Sequence, residues 1–83
     1  GSRAEVRAWA RVMTEEFERL RRAAERGERT VLDAYGASNP TEFFSVATEC
    51  FFERPRALRE DRPTLYALLR DQYRQDPAER FET

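Results

Sequence analysis

The sequence predicts an all-α fold, a small bundle of three main helices plus a short helical turn. Three observations carry that expectation. Apolar residues recur at steps of three or four from Val6 to Ala24, which is the spacing of one helix face. Asn39, Pro40 and Glu42 open a phenylalanine-rich run with the chemistry of a helix start: a capping side chain, a proline at the first helical position and an acid three past the cap. Pro63 opens a third run, in which Leu65, Leu68, Leu69 and Tyr73 share a face with Tyr66 at its margin.

Taken in order, the first helix is expected over about 3–26. Val6, Trp9, Met13, Phe17, Leu20 and Ala24 fall within an arc of about 100°. Glu15 with Arg19 and Glu18 with Arg22 are set four apart on the other face, acid first. Gly27 is the natural stop. Residues 28–38 have no helical period; Thr30 to Leu32 read as a brief extended piece before the turn residues of "DAYGASNP". The second helix runs over 40–53 and ends at Pro55, because a residue before proline avoids the helical region. A short turn around Arg56 to Glu60 precedes the third helix, over about 63–74. The expected single domain is 3–77, with 78–83 a frayed tail. Gly1 and Ser2 resemble a tag scar, so the natural chain is expected to begin before Arg3.

Composition narrows the function. In 83 residues the core must be thin. Fifteen arginines against sixteen acids leave a net charge of -1, which predicts no general affinity for nucleic acid or anionic membranes. The single cysteine, Cys50, cannot form an intrachain disulfide, no apolar run approaches a membrane span and no signal-peptide pattern opens the chain, so a cytoplasmic protein is expected. The chain contains no histidine. It therefore holds no catalytic triad or histidine-based zinc site, and no phosphate-binding glycine loop or nucleophile elbow is present. Cys50, on the apolar face beside Phe43 and Ala47, reads as a buried inert thiol.

One feature of the second helix asks for chemistry. Glu42, Ser45, Glu49 and Glu53 lie within about 80° on a helix that is apolar around most of the rest. The stripe either faces water or faces an enclosed polar site holding a metal or cation. Glu42 has a competing role as the capping-box acid. From the residues alone, Tyr35 reads as a loop aromatic whose ring packs on the core.

The run "DAYGASNPTEFFSVATECFFERPRAL", followed by "PTLYALLRDQYRQDP", resembles the C-terminal part of the Mlc titration factor A family of bacterial zinc metallopeptidases. The upstream "WARVMTEEFERLRRAAERG" fits the preceding segment, so the resemblance covers about Trp9 to Pro77. It implies a zincin-like, gluzincin organisation, with zinc held by two histidines of an H-E-x-x-H helix and a downstream glutamate. That glutamate maps to Glu42, and a tyrosine assisting catalysis maps to Tyr35, seven residues before it. Glu49 is carried as a candidate outer-shell acid. The resemblance also implies Zn2+ in the full-length protein, a peptide substrate, and binding to a transcriptional repressor of the Mlc kind.

Two departures matter. The family often has alanine where this chain has Gly36, and Cys50 stands in the E-x-F-F segment. More important, no histidine is present, so this chain alone is expected to bind zinc weakly and to cleave nothing. The expectation is a C-terminal segment supplying the third ligand of a longer peptidase, with exposed phenylalanines favouring self-association of the isolated piece. The alternative is a noncatalytic interaction module pairing through its first helix. A helix-turn-helix DNA binder is disfavoured by the interleaved acids.

Overall fold

The computed structural model describes residues 2–80. Among these described residues are five helices and one 3-10 turn: α1 (Arg3–Glu25), the 3-10 turn (Ala34–Ala37), α2 (Pro40–Glu53), α3 (Pro55–Asp61), α4 (Pro63–Tyr73) and α5 (Pro77–Arg80). Among the described residues there is no strand, so the architecture is all-α. Thr30 to Leu32 form no extended pairing. No helix among the described residues is long and apolar enough to cross a membrane. Gly1 and residues 81–83 of the expected tail lie outside the described residues.

Local chemistry sets both ends of α1. Ser2 Oγ accepts from the Glu5 amide at 3.2 Å. At the other end Gly27 takes φ +67°, and the amides of Gly27 and Glu28 donate back to the carbonyls of Ala24 and Ala23. These are the two bonds of a Schellman stop, which needs a left-handed residue at Gly27. On the polar face the ion pairs are Arg11 with Glu15 and Arg21 with Glu18, rather than the two pairs expected from spacing. All four side chains are well exposed, where the choice of partner changes little energy.

The core forms where α2 is enclosed. Phe43, Ala47 and Phe51 are buried against Leu20 of α1, Leu58 of α3, and Leu65, Tyr66 and Leu69 of α4. Phe51 lies at the centre of an aromatic group, its ring 5.0 Å from Phe52, 5.2 Å from Tyr66 and 5.9 Å from Tyr73. Phe17 meets Phe43 edge-on at 5.8 Å. Each fully buried phenylalanine contributes about 2–3 kcal/mol through removal from water. The molecule measures 37 × 34 × 17 Å, a slab only about two helices thick.

Two Arg-Pro corners chain α2, α3 and α4 together. Arg54 (φ -135°, ψ 54°) and Arg62 (φ -132°, ψ 67°) leave the helical region because each precedes a proline, and Pro55 and Pro63 each begin the next helix. The segment expected as a turn around Arg56 to Glu60 is thus a seven-residue helix, held by the full burial of Leu58. The expectation of a frayed tail from residue 78 does not hold for 78–80. Ala78 is fully buried, its amide donates to Tyr66 Oη at 3.0 Å, and Arg59 pairs with Glu79 at 2.8 Å. Tyr66 in turn donates to Asp76, so a buried phenol fastens α5 to the bundle.

Candidate functional site

The site is built on the stretch joining α1 to α2. Asp33 Oδ1 accepts from the Tyr35 amide at 2.9 Å, the Gly36 amide donates to Asp33 O at 2.9 Å, and the Ser38 amide donates to Tyr35 O at 3.1 Å. An Asx turn thus opens the 3-10 turn and fixes Tyr35 within it. The next residue points inward. A Cβ at Gly36 would stand 3.1 Å from Leu20 Cδ2 and 3.2 Å from Val46 Cβ, so the absence of a side chain lets this turn press against both α1 and α2. With Gly36 facing the core, Tyr35 is turned out to 60% exposure. The residue-based expectation that its ring packs on the core is corrected: the close approach at Gly36 leaves that ring no inward place.

Glu42 enters from the adjoining helix start. Asn39 Oδ1 accepts from the Glu42 amide at 2.9 Å, so the cap is made by Asn39. Among the described residues the Glu42 carboxylate itself has neither a hydrogen bond nor an ion pair, and it is half-exposed. The capping box is therefore half-formed, and this carboxylate keeps its lone pairs free for another partner. Phe43, immediately after it, is 1% exposed and anchors the backbone that carries it.

The 3-10 turn that carries Tyr35 leads through Ser38 and Asn39 into α2, whose first turn carries Glu42, and it rests on Val46, one helical turn past Glu42. Glu49 lies seven residues beyond Glu42, about 10.5 Å along the helix. It is exposed and lines a groove with Thr30, Asp33, Val46, Glu53 and Arg54. Ser45 and Glu53 are exposed too, so in this chain the polar stripe of α2 meets solvent along its length.

Cys50 is buried, with its thiol directed at Val31 O at 3.8 Å. Burial pushes its pKa up; Arg54 opposes that, while Asp61, Glu49 and Glu53 add to it. A thiol held protonated is a poor nucleophile and a poor metal ligand.

Among the described residues no group of three or more histidine, cysteine, aspartate or glutamate side chains is placed to hold a metal ion. A catalytic zinc needs about three protein ligands, and the first turn of α2 offers one carboxylate. The donors present fit a single position in a zinc site and do not complete one.

The bundle thus presents a carboxylate unengaged among the described residues in the first turn of α2 and an outward phenol on the turn before it. The chain belongs to the glucose-regulated metallo-peptidase M90 family, whose model matches residues 1–74. It is 39% identical over 77 residues to an uncharacterized protein of Synechocystis, covering 93% of this chain and 28% of that protein. It is 38% identical over 79 residues to Mlc titration factor A of Edwardsiella ictaluri, covering 93% of this chain and 30% of the relative. Against Mlc titration factor A of Yersinia pestis the identity is 44% over 55 residues, 66% of this chain and 20% of the relative. The resemblance drawn from the residues is thus borne out, and the chain spans only a fifth to just under a third of these relatives. No solved structure gives a significant match.

Sequence reasoning missed the inward turn at Gly36 and the free state of Glu42. The glycine inside "DAYGASNP" was a visible signal for a close backbone approach. Nothing local distinguishes an acid that completes a capping box from one that leaves it open.

Proposed function

We propose that this chain is the C-terminal helical segment of a zinc-dependent peptidase of the Mlc titration factor A type, working on peptides in the cytoplasm. Glu42 is its third zinc ligand and Tyr35 assists the transition state. The observation that carries this reading is a half-exposed glutamate with no partner among the described residues, in the first turn of the helix that follows a fixed turn holding a tyrosine 60% exposed. Family membership supplies the metallopeptidase class.

Each residue's part follows from its support. Glu42 is presented from the first turn of a helix whose next side chain is buried, which restricts where the carboxylate can reach. Zinc, when bound, supplies Lewis-acid polarisation and an acidified water. The Tyr35 hydroxyl donates a hydrogen bond toward negative charge developing on the peptide oxygen, the role of an oxyanion-hole donor. Glu49, two turns away, acts only indirectly, through groups that the rest of the protein brings to that face.

The test uses the longer protein that contains this segment. Its coding sequence upstream of Arg3 is expected to encode an H-E-x-x-H helix. Glu42→Gln is expected to lower zinc content and peptidase activity together. Tyr35→Phe is expected to keep the zinc while reducing kcat by about 10²–10³-fold, the loss typical of one oxyanion donor. Full zinc occupancy and full activity in Glu42→Gln would sink the assignment.

A second reading, a noncatalytic module that binds a partner such as an Mlc-like repressor, is favoured by one observation. The apolar stripe of α1 runs past the core, leaving Val6 64% exposed beside half-buried Trp9. That reading expects partner binding to survive Glu42→Gln and Tyr35→Phe and to fall with Val6→Glu.

A further inference from the structure

A cluster of charged side chains lies where the C-terminal half of α1 faces the loop that follows it. Helical spacing sets Arg19, Arg22 and Arg26 along one side of α1. The left-handed stop at Gly27 reverses the chain so that Arg29 lines the same groove, and Arg62 lines it too. The groove holds about 490 Å³, the scale of a ligand site. Its lining includes the buried side chains of Leu20 and Ala23 and half-buried Val31.

The charges there are not balanced. Arg62 is taken up by Glu16, with contacts of 2.6 and 2.7 Å, and Arg26 faces Glu28 at 3.9 Å. Arg19, Arg22 and Arg29 are exposed and have no carboxylate partner among the described residues. Asp61 is the carboxylate of the groove outside those two pairs. Five arginines against three acids give a local excess of positive charge in a chain whose net charge is -1.

We propose that this groove docks an acidic peptide segment, with Arg19, Arg22 and Arg29 gripping its carboxylates while Leu20, Ala23 and Val31 receive an apolar side chain between them. Guanidinium forks suit carboxylates because they bind them bidentately. The dimensions favour a peptide over a single small anion. Arg19 and Arg26 are about 10.5 Å apart along the helix axis, the span of roughly three extended residues. The apolar part of the lining separates the two kinds of anion: Leu20, Ala23 and Val31 suit a peptide side chain and offer a phosphate track nothing.

The test titrates the 15N-labelled 83-residue chain with a labelled nonapeptide of three Glu-Glu-Leu repeats at low salt. Saturable binding is expected, with amide shifts centred on residues 19–32 and an affinity that falls as salt is raised. Replacing the three free arginines together (Arg19→Ser, Arg22→Ser, Arg29→Ser) should weaken binding by roughly tenfold or more. The comparison variant Arg3→Ser, Arg7→Ser, Arg11→Ser, with the same charge change at the far end of α1, should bind as the unaltered chain does. Equal loss in both variants, or shifts centred elsewhere, would overturn the proposal. So would absence of saturable binding, tighter binding of a short single-stranded oligonucleotide, or full displacement of the peptide by millimolar inorganic phosphate. The shift mapping needs no variant, so it decides the matter even if a substituted chain misfolds.

Discussion

Cys50 and Tyr66 are polar-tipped side chains in a thin core, and each answers burial differently. The Cys50 thiol rests against a backbone carbonyl and is held protonated mainly by its burial. At pH 8 its alkylation by iodoacetamide in the folded chain should be more than about tenfold slower than in denaturant, read by mass spectrometry. Equal rates would mean that the thiol is accessible. Tyr66 is fully enclosed, yet its hydroxyl has two partners, donating to Asp76 and accepting from the Ala78 amide. Burial first, and then the bond to Asp76, push its pKa up. The unfolded chain therefore loses the tyrosine proton first as pH rises. The contribution is complete below the ordinary tyrosine value of about 10 and is lost as pH climbs through the higher folded value. Tyr66→Phe should cost about 1–3 kcal/mol near neutral pH by orphaning the buried Ala78 amide. The variant should also show a flatter decline of stability above pH 10, measured by denaturant unfolding across pH. An unchanged alkaline slope would show that Tyr66 is not the group responsible.

At the scale of elements, the bundle depends on how α3 and α4 are fixed to α1. Arg62 ends α3 by donating its amide N–H to Leu58 O at 2.7 Å and starts α4 by accepting, at its carbonyl, from the Tyr66 amide at 2.9 Å. Its side chain makes a two-pronged pair with Glu16, both partners only 11–12% exposed. Removing one partner strands a largely buried charge, so Glu16→Ala should cost about 3 kcal/mol, the lower edge of the range for breaking a buried pair. Replacing both residues with methionine should restore much of that loss, since desolvation of the pair disappears with it. Thermal melts of the single and double variants check this, and additive losses would deny the coupling. This junction also marks what the sequence could show. The start of α2 was legible because Asn39 and Pro40 act on their own neighbours. α3 was legible only as a short helical turn, because Pro55 and Pro63 read as two breakers eight residues apart; its full length rests on the burial of Leu58. Glu16 and Arg62 are 46 residues apart in the chain, and no periodicity announces such a pair.

Across the whole molecule, the groups proposed for function are ones whose side chains make no hydrogen bond or ion pair among the described residues. Glu42 and Tyr35 were legible as site candidates through the resemblance, but their physical state was not. Whether an acid at the third helical position folds back on the cap depends on its carboxylate reaching the Asn39 amide, and whether Tyr35 faces in or out depends on the 3-10 turn being pressed onto Leu20 and Val46 at Gly36. The same fold encloses the phenylalanines: Phe43 and Phe51 are buried, and Phe44 and Phe52 are half-buried, so α2 leaves none of its rings fully open to water. Stability and proposed activity should therefore separate cleanly. In the 83-residue chain, Tyr35→Phe and Glu42→Gln remove no hydrogen bond or ion pair made by either side chain among the described residues. Each should change unfolding free energy by no more than about 0.5 kcal/mol, as exposed substitutions do. Phe51→Ala, at the centre of the aromatic group, should cost about 3–5 kcal/mol. Urea unfolding of the three variants beside the unaltered chain measures this. If Glu42→Gln or Tyr35→Phe loses several kcal/mol, these residues support the fold, and a loss of peptidase activity in the longer protein would no longer identify them with the zinc site. If both remain neutral, the bundle stands without them, and such a loss must be traced to what they do at the proposed site.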